Sequence, residues 1–152
     1  MAQAALGALE LLRDDLAQAR VLLRQCRDTA RRIGAPGTLA VTACMQGFAA
    51  RAAADVTAAS KQFRFALRGG HAIGDSFIMA YSLEGLAWAA RVQGNPARAA
   101  HPLGAAEGLR AVIGSPIVTG LQAGQKTTLQ AELGLRAFRQ ARAAAAASRS
   151  PR

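Results

Sequence analysis

Residues able to do chemistry are few in this chain and widely spaced. The stretch GLQAGQKTT, Gly120 to Thr128, holds glycines, a lysine and two threonines, the ingredients of a phosphate-cradling loop. Such a loop places its lysine directly after the second glycine, so that the ammonium reaches the phosphates. Here Gln125 stands between Gly124 and Lys126, and no strand precedes them, so the stretch reads as a turn leading into a helix. The two histidines, His71 and His101, lie far apart in the sequence, with no cysteine or carboxylate at ligand spacing from either. A metal site or a catalytic base needs a second and third convergent group. The two cysteines, Cys26 and Cys44, fall on apolar helical positions and read as buried, reduced thiols. Glu84 and Glu107 each sit beside a glycine on a predicted helix, and the remaining acids are dispersed. No nucleophile, base and orienting group can be assembled, so no catalytic, cofactor-binding or metal-binding residue is assigned. The chain is read as a non-enzyme that needs no cofactor.

Charge is the other chemical resource. Nineteen basic residues, of which 17 are arginine, face nine acids, for a net charge of +10. Arg20, Arg24, Arg27 and Arg31 form a stripe at helical spacing, and Arg136, Arg139 and Arg142 form a second one with Leu135 and Phe138 nearby. Stripes of this kind could touch phosphates, which makes nucleic acid the alternative partner. The plainer reading is a solvated face in a protein from a GC-rich genome, because the arginines are scattered over several helices and no exposed aromatics are expected to interleave with them.

The elements that would position these side chains follow from a repeat. Ile33-Gly34 recurs as Ile73-Gly74 and again as Ile113-Gly114, at a constant offset, and Asp15, Asp55 and Asn95 keep the same interval. The stretch between each cap and the following Ile-Gly suits a helix of nearly five turns, capped by the Asp or Asn and stopped by the glycine. Apolar positions fall in columns within these segments: Leu16, Val56 and Pro96; Ala19, Ala59 and Ala99; Leu23, Phe63 and Leu103; Cys26, Ala66 and Ala106. Steps of three and four place them on one helical face. A second helix precedes each cap, over Ala2 to Leu12, Thr38 to Ala53 and Ser76 to Gln93. The step from Gly47 to Gly85 falls two short of the repeat offset, which implies two residues lost after Gly74 and two gained before Asn95.

Composition agrees with an all-α fold. Hydrophobic residues make up 51% of the 152, but aromatics only 5%, so the core must be built from alanine and branched aliphatics suited to close helix packing. No run is long and apolar enough for a membrane span, and the amino end lacks the pattern of a secretory signal, so a cytoplasmic protein is expected. The expected architecture is a tetratricopeptide-like solenoid of helical hairpins, with seven or eight antiparallel helices in about three repeats. One domain should cover 1–147, anchored at 15–54, 55–94 and 95–114 and closed by capping helices over 118–147, with a disordered tail over 148–152. Its concave face, lined by the first helix of each hairpin, would receive a peptide or a neighbouring domain.

Residues 83 to 116, LEGLAWAARVQGNPARAAHPLGAAEGLRAVIGSP, resemble the C-terminal tetratricopeptide-like regions of large bacterial LuxR-type and related ATP-binding transcriptional regulators. The resemblance continues through Leu133, Gly134 and Phe138 and extends weakly back into the first repeat. It implies a sensor or autoinhibitory arm that binds an inducer or partner. Three departures stand out. Pro102 falls where relatives carry leucine and should kink its helix or cost about 3 kcal/mol. Gly69 and Gly70 should weaken the preceding helix by about 1 kcal/mol each. The family's ATPase and helix-turn-helix modules are not recognised in the sequence. Met1 opens in the second helix of a hairpin, so the chain is expected to be a piece of a longer regulator, or to self-associate through Leu6, Leu9 and Leu12.

Overall fold

A short side-chain acceptor placed just before a helix satisfies one of the backbone donors that the first turn leaves open. Asp15 accepts from the Gln18 amide at 2.9 Å, Asp55 from Ala58 at 2.9 Å and Asn95 from Arg98 at 3.1 Å. Asp75, not singled out by the repeat, does the same for Ile78 at 3.0 Å. The structure, a computed structural model, describes residues 15–114 together with Ala131, Gly134, Ala137, Arg139, Gln140, Ala143 and Ala144. Over residues 15–114 it contains α1 (Leu16–Arg32), α2 (Pro36–Ala52), α3 (Val56–Ile73), α4 (Ser76–Val92) and α5 (Pro96–Ile113), and no strand. The fold is all-α. The expected helices over Ala2 to Leu12 and 118–147, with the tail over 148–152, lie outside the continuously described stretch.

Helix ends follow a cadence half as long as the one the sequence suggested. Positive φ occurs at Gly34 (64°), Ala54 (56°), Gly74 (70°), Gly94 (75°), Gly114 (65°) and Gly134 (73°), one position in every 20. Each of the first four is followed by an amide that reaches back across the turn: Ala35 to Ala30 O, Asp55 to Ala50 O, Asp75 to Gly70 O and Asn95 to Ala90 O, at 2.8 to 2.9 Å. These are the bonds of the Schellman turn, in which a left-handed residue lets the chain leave the helix while its last carbonyls stay satisfied. Ala54 is the non-glycine member of the series.

Such short turns fold each helix back on the one before it. Consecutive helices therefore pack in pairs, and α2 also packs on α4 across the intervening α3. The alanine column is buried throughout, with Ala19, Ala59 and Ala99 at 1% exposure or less, and Phe63 and Leu103 fill the space beside it. Phe63 takes the central place. A Cβ on Gly47 of α2 would lie 2.7 Å from its ring, and a Cβ on Gly85 of α4 would overlap the ring outright. The ring is thus gripped between two bare stretches of helix backbone, with Phe48 edge-on at 5.1 Å and Tyr81 edge-on to Phe48 at 6.2 Å.

Two expectations need correction, and the glycine pair gains a role. The helix expected from Thr38 begins at Pro36, because proline's fixed φ suits a first turn and its missing N–H has no partner there to lose. The two-residue loss and gain do not occur, since α2 and α4 start at 36 and 76 and end at 52 and 92, the full repeat step in both cases. Gly47 and Gly85 are not register equivalents; they meet the same ring from two neighbouring helices at different heights. Gly69 and Gly70 do not merely weaken α3: a Cβ at Gly69 would sit 2.8 Å from that of Ala40, and one at Gly70 would sit 3.0 Å from Ile78 Cγ2. They set the distance at which α2 and the start of α4 approach. Pro102, for which a kink or a cost of about 3 kcal/mol is expected, lies within α5.

Two substitutions test this packing. Gly85→Ala should lower stability by about 1–2 kcal/mol, since overpacking against Phe63 outweighs the roughly 1 kcal/mol gain in helix propensity. Phe63→Leu in that background should recover part of the loss in a double-mutant cycle read by denaturant melts. Ala54→Gly should instead stabilise by about 0.5–1 kcal/mol, because relief at the left-handed position exceeds the added freedom of the unfolded chain.

Candidate functional site

Among the described residues, the two buried charged side chains, Glu84 and Arg110, meet where α4 packs on α5. Tyr81, Glu84, Trp88 and Arg91 follow steps of three, four and three along α4, which places them on one face of that helix. Glu84 is 3% exposed and Arg110, from α5, is 7% exposed; Arg110 Nε donates to Glu84 Oε1 at 2.6 Å. The Arg110 guanidinium also lies 4.6 Å from the centre of the Tyr81 ring. Burial alone would lower the pKa of Arg110, but the hydrogen bond and charge of Glu84, aided by Tyr81, more than offset it and raise it. The pair joins α4 to α5 as a fixed, fully charged unit. Arg110 occupies a column held in the earlier helices by Ala30 and Gly70, both buried, so a long side chain enters here where small ones pack elsewhere.

Arg51, in the last turn of α2, projects over Trp88 with its guanidinium carbon 5.2 Å from the ring centre. It is half-buried, as is Arg91, which stands one repeat further on in the last turn of α4. Burial first, and then repulsion from Arg91, lower the Arg51 pKa, while Glu84 draws it back by a smaller amount. The two arginines stand at matching repeat positions of neighbouring helices, and Arg91 acts on Arg51 as a like charge. Glu84, whose charge acts on Arg51, accepts from Arg110. The arrangement offers planar, forked donors beside an aromatic face, which suits recognition of an anion; it contains no nucleophile positioned by a base.

The residues singled out in the sequence are distributed differently. Arg20, Arg24 and Arg31 are exposed on α1, but Arg27 is half-buried and donates to Gln46 Oε1 at 3.0 Å, so it belongs to the α1–α2 contact. Arg139 is exposed and helical, while Arg136 and Arg142, like the Gly120 to Thr128 stretch, lie outside the described residues. His71 and His101 are exposed on α3 and α5. Among the described residues no three His, Cys, Asp or Glu side chains converge on a metal-sized site, and no helix is long and apolar enough to cross a membrane. Cys44 is buried, but Cys26 is exposed, contrary to expectation. Its column is buried at Ala66 and Ala106 within the stack, whereas α1 packs only on α2 among the described helices. Cys26 Sγ lies 3.4 Å from Thr42 Oγ1.

The α4 stripe was within reach of sequence reading, as an aromatic, an acid, an aromatic and a base at helical spacing. So was the repeat step from Arg51 to Arg91. Comparison of the chain with models of protein families, with curated proteins and with solved structures finds no match.

Two measurements check this geometry. Glu84→Gln leaves Arg110 buried without its countercharge and should cost about 3–5 kcal/mol in a denaturant melt, far beyond the loss from an exposed cap such as Asp55→Ala, about 1 kcal/mol. Burial pushes the Cys44 thiol up to about 12, so it stays protonated and unreactive at mildly alkaline pH. A maleimide should therefore modify Cys26 alone in the folded chain, and Cys44 only after denaturation.

Proposed function

We propose that this chain is a non-catalytic protein-interaction scaffold, built as a tetratricopeptide-like solenoid whose hairpins pair α2 with α3 and α4 with α5. α1 and the two central hairpins form the described part of the array. The observation that carries this reading is the side-by-side packing of α2 on α4 in strict repeat register, which gives the two helices a shared face. That face bears the only concentrated arrangement of half-buried cations and aromatics found among the described residues. On the sequence resemblance, the role fits the sensor or regulatory arm of a LuxR-type regulator, acting in the cytoplasm on a peptide or a neighbouring domain.

A second reading has a specific observation in its favour: Arg20, Arg24 and Arg31 are all exposed on one face of α1. Three guanidiniums give weak, salt-sensitive contact with a nucleic acid backbone rather than sequence recognition. The diversion of Arg27 into the α1–α2 contact shortens the stripe that a phosphate backbone would follow.

Panning the intact chain against a displayed library of random peptides, with the footprint mapped by amide chemical shifts, tests the choice. Binders that perturb α2 and α4 are the expected result. A chain that binds no peptide there, yet binds labelled duplex at low salt and loses it on Arg24→Gln, contradicts the scaffold and favours the α1 stripe.

A further inference from the structure

The outward side of α3 carries a combination of side chains that neither the repeat nor the core requires. α3 packs on α2 and α4 through Ala59, Phe63, Ala66 and Gly70, all buried. Steps of three and four place Lys61, Arg64 and Arg68 on the opposite side, along about 10 Å of helix, and all three are exposed. Phe65 stands among them with 39% of its surface open to water. No acid occurs within Val56–Ile73, and the acids at its two ends, Asp55 and Asp75, each accept from a capping amide. None of the three cations forms a salt bridge among the described residues. The combination is peculiar to α3. One repeat earlier, on α1, the positions of Phe65 and Arg68 hold Gln25 and Asp28, and one repeat later, on α5, they hold Ala105 and Gly108. A packing column such as Ala19, Ala59 and Ala99 keeps its residue type through all three helices.

We infer that this face of α3 docks single-stranded nucleic acid, with phosphates on Lys61, Arg64 and Arg68 and a base stacked on Phe65. Cations in series neutralise a backbone that carries one charge per nucleotide, and release its counterions. An exposed ring among them adds stacking, which every base supplies and which needs no particular sequence. A duplex fits the face less well, because its bases are already stacked on one another and leave the ring unused. An anionic membrane needs a broad apolar face beside the charge, and Phe65 is the one large apolar side chain on the outward side of α3. An acidic peptide draws its affinity from anchor side chains held in pockets, and a convex helix face offers none. The surface uses no residue of α2 or α4, so strand binding here and peptide binding there stand or fall separately.

Fluorescence anisotropy of a labelled oligothymidylate, titrated with the intact chain over a series of salt concentrations, tests the assignment. A duplex, polyglutamate and vesicles of phosphatidylserine and phosphatidylcholine serve as competing probes. The single strand should bind more tightly than the duplex and weaken as salt rises. Phe65→Leu keeps apolar bulk but removes the ring, and should reduce affinity about tenfold, whereas Phe65→Tyr should bind as the parent does. Arg64→Gln should weaken binding about threefold and flatten the slope of log affinity against log salt by about 0.7. All these positions are exposed, so the variants should melt as the parent does. Absence of strand binding at low salt would overturn the inference, as would Phe65→Leu and Arg64→Gln variants that bind like the parent. A loss confined to Arg24→Gln would overturn it too and place the strand on α1. Vesicle binding that survives Phe65→Leu, or polyglutamate bound more tightly than the strand, would reassign the face to a membrane or to an acidic protein.

Discussion

The position of one aromatic ring governs the spacing of the central helices. Phe63, fully buried on α3, occupies room that exists only because Gly47 on α2 and Gly85 on α4 have no side chains. In a core made largely of alanine, few other groups have the volume to fill the gap between three helices, and the interior must be close-packed. The ring therefore brings both α2 and α4 against α3 at one point. Gly69 against Ala40 and Gly70 against Ile78 extend the close approach toward the other end of α3. Glycine, which weakens an isolated helix, here allows contact between helices that a methyl group would hold apart.

Once α2 and α4 are set side by side, the repeat decides what they present. A strict repeat step brings equivalent residues of the two helices into register. Where the equivalents are alanines, as with Ala40 and Ala80 or Ala50 and Ala90, the result is tight packing. Where they are arginines, as with Arg51 and Arg91, the same register creates repulsion at a half-buried site. α5 adds the buried Arg110–Glu84 pair, whose removal from water is balanced by a short charged hydrogen bond and the Tyr81 ring. Packing and electrostatics thus have one origin in the repeat.

Much of the fold was legible because its signals are local. Asp15, Asp55 and Asn95 act through hydrogen bonds to amides three positions ahead, and Gly34, Gly74 and Gly114 through their own φ, so a fixed spacing in sequence suffices to find them. The shorter cadence of helix ends was hidden because Ala54 adopts a left-handed conformation that its residue type disfavours, and because Ala35 starts a helix with no side-chain cap. Gly47 and Gly85 were visible as a pair but misread as a register, since nothing in the sequence says that both touch Phe63. The candidate site was harder still. Glu84 and Arg110 are distant in sequence and on different helices, and only the crossing of α4 with α5 brings them together. Cys26 was placed in the core by its column, yet burial also depends on the neighbour that packs against it.

The central claim is that Phe63 lies between two glycine backbones and so sets the distance from α2 to α4. It is tested most directly by nuclear Overhauser contacts in the intact chain. The account predicts contacts from the Phe63 ring protons to the α-protons of both Gly47 and Gly85, with those α-protons shifted by the ring current. Contacts to neither glycine, or to one alone with the other at its ordinary shift, would contradict it.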